Sequence, residues 1–244
     1  MLNNINWIAI CGGPGLSNNY LQYGLRDIIP EDKLHFYNLA GSPESQDKDP
    51  TIVTMVQQIE QVAQEPGLQE YGLITHSFGN YLALRSLERN NRSIKVIIMI
   101  NPMPFEFQMW KNALTEIGNK VPEDVLKKIT ELSQSPNQGA ELFRMIYPYY
   151  IGVENSILPL DVPFDADACN RISAKIEKYD DRNLVKMASI PLIRIMGDKD
   201  PFFFDPFILE DSTLIMEKVG HYPFFENRAY FLQTMQKVGS LLGC

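Results

Sequence analysis

Three residue types in this chain have the spacing for acyl-transfer chemistry: a serine, a histidine and an aspartate. Ser77 stands in "YGLITHSFGNYLALRSL", residues 71–87. There an apolar run stops at Thr-His-Ser-Phe-Gly and passes directly into a segment with helical spacing. A nucleophile on a strained strand-to-helix turn needs small neighbours, and its hydroxyl then projects above the sheet edge. The helix N-terminus beneath it favours developing negative charge. Gly79 supplies a small neighbour two residues on, while Thr75 stands where the usual pattern has a first glycine and crowds the turn. A serine after a strand is also an ordinary helix N-cap. The stretch alone leaves both readings open.

A serine hydroxyl is a weak nucleophile. It needs a base, and the base needs an orienting acid. The chain has three histidines. His35 lies within a predicted strand. His76 adjoins Ser77 with its side chain directed away, which suits a packing or hydrogen-bonding residue. His221, in "KVGHYPFFENRAYF", follows a strand end and a glycine and precedes the last helix. A loop histidine beyond a strand's C-terminal end is placed to reach a strand-end serine. In this architecture the acid precedes the histidine in the chain. "IMGDKDPFF" offers Asp198 and Asp200, with Asp205 more remote, although Gly-Asp-x-Asp-Pro is also good turn chemistry. Donors for an oxyanion would come from the N–H of Phe78 and from the loop "CGGPGLSNNYL". Gly12 and Gly13 in that loop allow close backbone approach, and Pro14 stiffens it. Its spacing matches neither phosphate-binding glycine pattern.

These residues need a scaffold that brings distant segments to one edge. Six short apolar runs read as strands: 7–11, 33–39, 71–75, 95–100, 191–196 and 212–219. None alternates cleanly, which suits parallel strands covered on both faces. Between them lie amphipathic segments. Residues 49–65 place Ile52, Met55, Val56, Ile59 and Val62 on one stripe, with Asp49 as predicted N-cap and Pro50 at the first helical position. Residues 78–90 and the C-terminal "ENRAYFLQTMQKVGSLL" repeat the pattern. Strand–helix alternation predicts an α/β fold with a mostly parallel sheet and right-handed crossovers. Residues 103–188 break the alternation. Roughly 85 residues are too many for a crossover and too structured for a loop. They are expected to form a helical cap, inserted between core segments 1–102 and 189–244.

Bulk properties narrow the function classes. The chain has 244 residues, 45% of them apolar, and a formal charge of -8. The acidic balance argues against nucleic acid or an anionic membrane as partner. Cys11, Cys169 and Cys244 are too scattered for a disulfide framework or a metal cluster. The N-terminal run lacks a basic region and is too short for a signal peptide or membrane span. A cytoplasmic protein with reduced thiols and no metal or organic cofactor is the expectation. The apolar cap would allow a homodimer.

Taken in order, these motifs resemble the α/β-hydrolase superfamily, and within it the proline iminopeptidase-like branch. "GGPGLS" at 12–17 is similar to that branch's His-Gly-Gly-Pro-Gly signature, with Cys11 in place of the histidine. "FYNLAGSPES" at 36–45 resembles a second family segment, with Asn38 and Ala40 replacing its acidic and basic residues. "THSFGN", "GDKDP" and "GHYPFFENRAYF" resemble the elbow, the acid turn and the histidine segment. The resemblance runs from Ile5 to about Leu242 except through the cap. It implies Ser77 as nucleophile, His221 as general base and Asp200, the aspartate three residues after the turn glycine, as acid. It implies Gly13 and Phe78 as oxyanion donors. The branch's usual N-terminal hairpin is not expected, because the chain begins at the strand leading into the glycine loop. In the peptidases, acidic cap residues hold the substrate's free amino end, and Glu154 is the candidate here. The aromatics Trp110, Phe143, Tyr147, Tyr149 and Tyr150, with "PFFFDPF" at 201–207, could line an acyl pocket or form the core of the cap.

The implied activity is hydrolysis of a small ester, amide or short peptide through an acyl-enzyme on Ser77. An acyltransferase, thioesterase or cyclase could use the same triad, and a non-catalytic binding module could keep the fold.

Overall fold

In the computed structural model the described residues are 2–243, except 3, 48, 90, 91, 136, 137, 154, 155, 177 and 204–211. Among them six strands form one sheet: β1 (Asn6–Ile10), β2 (Leu34–Phe36), β3 (Tyr71–Ser77), β4 (Ile94–Pro102), β5 (Leu192–Gly197) and β6 (Thr213–Met216). Their spatial order is β2-β1-β3-β4-β5-β6, and every neighbouring pair is parallel. The apolar runs explain this. In β3 every residue but Ser77 is buried, and in β4 only Lys95 is exposed, as expected of strands covered on both faces.

The chain runs from β1 outward to β2, then returns across β1 to β3 and continues in the opposite direction. With right-handed crossovers, that reversal puts successive helices on opposite faces of the sheet. Helix α1 (Asn19–Leu25) belongs to the first crossover; α2 (Ile52–Val62) and α3 (Gly79–Arg89) belong to the later ones. The reversal also opens a crevice beyond the C-terminal ends of β1 and β3, where open α/β sheets bind their ligands. The glycine loop and Ser77 both emerge there.

Helix α2 starts later than its sequence stripe predicts. Thr51, not Asp49, is the N-cap, and it forms a reciprocal capping box with Thr54. Asp49 instead pairs with Arg171 at 3.2 Å. Between β4 and β5 lie α4 (Phe107–Lys120), α5 (Glu123–Ser133), α6 (Gly139–Ile146), α7 (Ala166–Lys175) and α8 (Arg182–Met187). This helical insert is stitched to the glycine loop. Ser17 donates to the Pro163 carbonyl at 2.9 Å, and Asp165 donates to the Gly15 carbonyl at 2.8 Å. The chain ends in α9 (Pro223–Glu226) and α10 (Arg228–Leu241). Among the described residues no helix is long and apolar enough to cross a membrane.

Candidate active site

Ser77 closes β3 with φ at +52°, in the left-handed region that non-glycine residues avoid. Holding it there costs about 1–3 kcal/mol, which the surrounding packing must over-determine. Two glycines make the turn possible. A Cβ at Gly12 would stand 2.7 Å from the Ser77 Cβ, and one at Gly79 would stand 2.5 Å from the Ile10 carbonyl oxygen. Thr75 is accommodated because its hydroxyl turns to β4 and donates to the Ile98 carbonyl at 3.3 Å. Among the described residues, the Ser77 hydroxyl makes no hydrogen bond and faces a cavity of about 340 Å³.

His221 and Asp200 meet beside that cavity. The His221 Nδ1–H donates to Asp200 Oδ2 at 2.9 Å, with both side chains almost wholly buried. A carboxylate only accepts, so Nδ1 carries the proton and Nε2 is the basic nitrogen. Asp200 Oδ1 accepts from the Phe202 amide at 2.9 Å, which fixes the carboxylate plane. Asp198 instead accepts from the Lys218 amide at 2.6 Å, as turn chemistry. His221 lines the same cavity as Ser77, and so do Gly13 and Phe78. Among the described residues the amides of Gly13 and Phe78 have no protein acceptor. Asp205 and Glu154 lie outside the described residues, as does the 204–207 part of the aromatic run.

Three positioning elements surround the site; two have no counterpart in the sequence reading, and the third gives His76 the hydrogen-bonding role expected of it. Glu226 is the first. Its Oε2 accepts from the amides of Gly152 (2.7 Å), Val153 (3.1 Å) and Gly220 (2.8 Å), and its Oε1 accepts from Tyr222 (2.9 Å). One carboxylate therefore ties the residues flanking His221 to the helical insert. The His221 amide adds a bond to the Tyr150 carbonyl at 2.8 Å. Asn101, with φ at +40°, is the second. Fully buried, it donates to the Gly220 carbonyl at 2.6 Å and accepts from Gly197 at 2.8 Å, joining the acid and histidine loops at the end of β4.

The third is a relay through His76. Its Nε2–H donates to the His221 carbonyl at 2.8 Å, since a carbonyl only accepts. Its Nδ1 must then accept from the Tyr20 hydroxyl at 2.9 Å, and Tyr20 in turn accepts from the Gly12 amide at 2.5 Å. This relay requires a neutral imidazole. Burial pushes His76 well below the ordinary value of 6.5, and the neighbouring His221 adds to the effect. The unfolded chain takes up a proton below about 6.5 and the folded chain does not. The contribution is therefore complete above that pH and is lost as pH falls, by up to about 1.4 kcal/mol per unit. His76→Gln is expected to lower stability at neutral pH and to flatten its decline between pH 6.5 and about 5.5. Urea midpoints at the two pH values check this. An unchanged slope would mean that His76 protonates in the folded state.

Cys11, which stands where the similar signature has histidine, is buried and points its thiol at the Leu16 carbonyl, 3.9 Å away. Burial pushes it up to about 12, so it is a neutral packing group. Trp110, Phe143 and Tyr150 line the cavity; Tyr147 does not. The Tyr147 ring is buried one layer behind, against Phe143 and Tyr222, with its hydroxyl 3.1 Å from Ser156. Among the described residues no group of His, Cys, Asp and Glu has the arrangement of a metal site.

This is the α/β-hydrolase fold. The chain is similar to an α/β fold family hydrolase from Bacillus anthracis, at 17% identity and a TM-score of 0.72, over 95% of this chain and 91% of that one. It is similar to a proline iminopeptidase-related protein from Thermus thermophilus, at 19% identity and a TM-score of 0.69, over 97% and 90% of the two chains. A proline iminopeptidase from Mycobacterium smegmatis gives 17% identity and a TM-score of 0.64, over 96% and 89%. No family model matches the chain, and no curated protein matches it in sequence.

Proposed function

We propose that the protein is a serine hydrolase that cleaves a small ester, amide or peptide bond through an acyl-enzyme on Ser77. The observation that carries this reading is the buried His221–Asp200 pair, bonded at 2.9 Å, with His221 on the wall of the cavity that the strained Ser77 faces. His221 Nε2 takes the Ser77 proton as the hydroxyl oxygen attacks the acyl carbonyl. Asp200 holds the tautomer and stabilises the imidazolium. The amides of Gly13 and Phe78 receive the oxyanion, and the N-terminus of α3 favours its charge. His221 then returns the proton to the leaving group, and water repeats the sequence to release the acid. The insert acts as a cap over the site. Hydrolases and an iminopeptidase among the structural neighbours support the reading.

A fluorophosphonate probe tests it. The wild-type chain is expected to label and Ser77→Ala is not. A folded wild type that stays unlabelled, or a mutant that labels equally, would sink the proposal.

A further inference from the structure

We infer that the acyl group this site accepts is uncharged and apolar, with at most about ten non-hydrogen atoms, and that substrates with a free amino end are excluded. The inference rests on the serine hydrolase reading and names its substrate class.

Size comes first. A cavity of about 340 Å³, at the ~30 Å³ that one water occupies, holds on the order of ten heavy atoms. Chemistry follows from its walls. Trp110, Phe143, Ile146, Phe164, Phe202 and Met103 give the lining its large apolar surfaces. Among the described residues, the polar groups of the lining are already committed or neutral. Both His76 nitrogens are hydrogen-bonded within the protein. Cys169 is pushed up to about 11 by burial, and Tyr150 and Tyr222 are also raised by burial. The remaining polar lining, Asn170 and Ser173, is uncharged and lies on α7. Asn170 and Leu114 are the exposed lining residues, so the mouth opens between α4 and α7.

An aminopeptidase substrate would bring an ammonium group two bonds from the scissile carbonyl, beside Ser77. Among the described residues no carboxylate lines the cavity, and Asp200 beside it has its oxygens bonded to His221 and Phe202. The aromatic rings could offer the ammonium about 2 kcal/mol of cation–π attraction. Desolvating it costs several kcal/mol. The balance runs against the charged substrate, whereas each methylene entering the same walls gains free energy. This separates the chain from the peptidases that its motifs resemble.

The experiment uses the full chain and three probes. One is the p-nitrophenyl ester series from acetyl through octanoyl to dodecanoyl. The second is prolyl and leucyl p-nitroanilide, each with its amino end free or acetylated. The third is fluorophosphonate labelling of wild type and Ser77→Ala. The expected kcat/KM rises on the order of a hundredfold from acetyl to octanoyl and falls by dodecanoyl. Free-amino anilides are expected to be poorer than their acetylated forms. Ile146→Trp, which fills the cavity, is expected to lower the octanoyl-to-acetyl ratio at least about tenfold. Labelling at Ser77 with a flat ester profile, or with free-amino anilides preferred, would overturn the substrate class and leave the hydrolase reading standing. Failure to label would remove both.

Discussion

Replacing Asp200 by Asn is expected to lower kcat on a p-nitrophenyl ester by about three to four orders of magnitude, with the fold intact and KM little changed. Asp200 Oδ1 accepts from the Phe202 amide, and an asparagine oxygen retains that bond. The other position then presents an NH₂ group to His221 Nδ1, where the carboxylate now accepts. Two donors cannot face each other, so the imidazole moves its proton to Nε2. A protonated Nε2 on a neutral ring cannot take the Ser77 proton. Asp198→Asn is the internal control. That residue bonds the Lys218 amide rather than His221, and its replacement is expected to cost less than about tenfold. Ser77→Ala and His221→Ala should each remove about as much activity as Asp200→Asn or more, and the doubles little beyond that, because the three act as one unit. Steady-state kinetics on the four single variants decide the matter. Equal effects at Asp198 and Asp200, or an active Ser77→Ala, would remove the triad from the mechanism.

The parts of this molecule that were legible in the sequence are those encoded locally. The six strands announce themselves as short apolar runs, and the order of Ser77, Asp200 and His221 could be read because Ser77 ends a strand and the other two follow one by a few residues. Helix α2 shows where local reading slips. Asp49-Pro50 is a good N-terminal signal, yet the Thr51–Thr54 capping box satisfies more of the orphan amides and moves the start inward. Tyr147 shows a second limit. An aromatic in a helical insert can face a cavity or stand behind the residues that do, and one-dimensional spacing cannot tell which. The largest gap concerns what orients His221. Asn101 reaches Gly220 across 119 positions, and His76 reaches the His221 carbonyl across 145. Such bonds leave no periodic trace. They exist only after the parallel sheet has brought the ends of β3, β4 and β5 to one edge.

Glu226 belongs to that hidden set, and its removal is the second large effect expected. Glu226→Ala withdraws the acceptor for four backbone amides at once, drawn from two separated segments. Unsatisfied amides at a packed junction are costly, and bonds to a charged acceptor are the stronger kind. Because Glu226 is partly exposed, water recovers some of the loss. The net destabilisation is expected to be on the order of 3 kcal/mol. The catalytic effect should exceed what unfolding explains. At a temperature where the variant remains folded, kcat is expected to fall about tenfold to a hundredfold, since Gly220 and Tyr222 flank His221 and a small misplacement of the base is expensive. KM should change less, because Glu226 does not line the cavity. Glu226→Gln discriminates orientation from bulk stability. With its oxygen turned to the Gly152, Val153 and Gly220 amides, glutamine keeps three of the four bonds and loses only that to Tyr222. It is therefore expected to recover most of kcat and most of the urea midpoint. If Glu226→Ala lost stability alone, with kcat of the folded fraction unchanged, the carboxylate would be a tie between two loops that leaves the placement of His221 to Asn101 and His76.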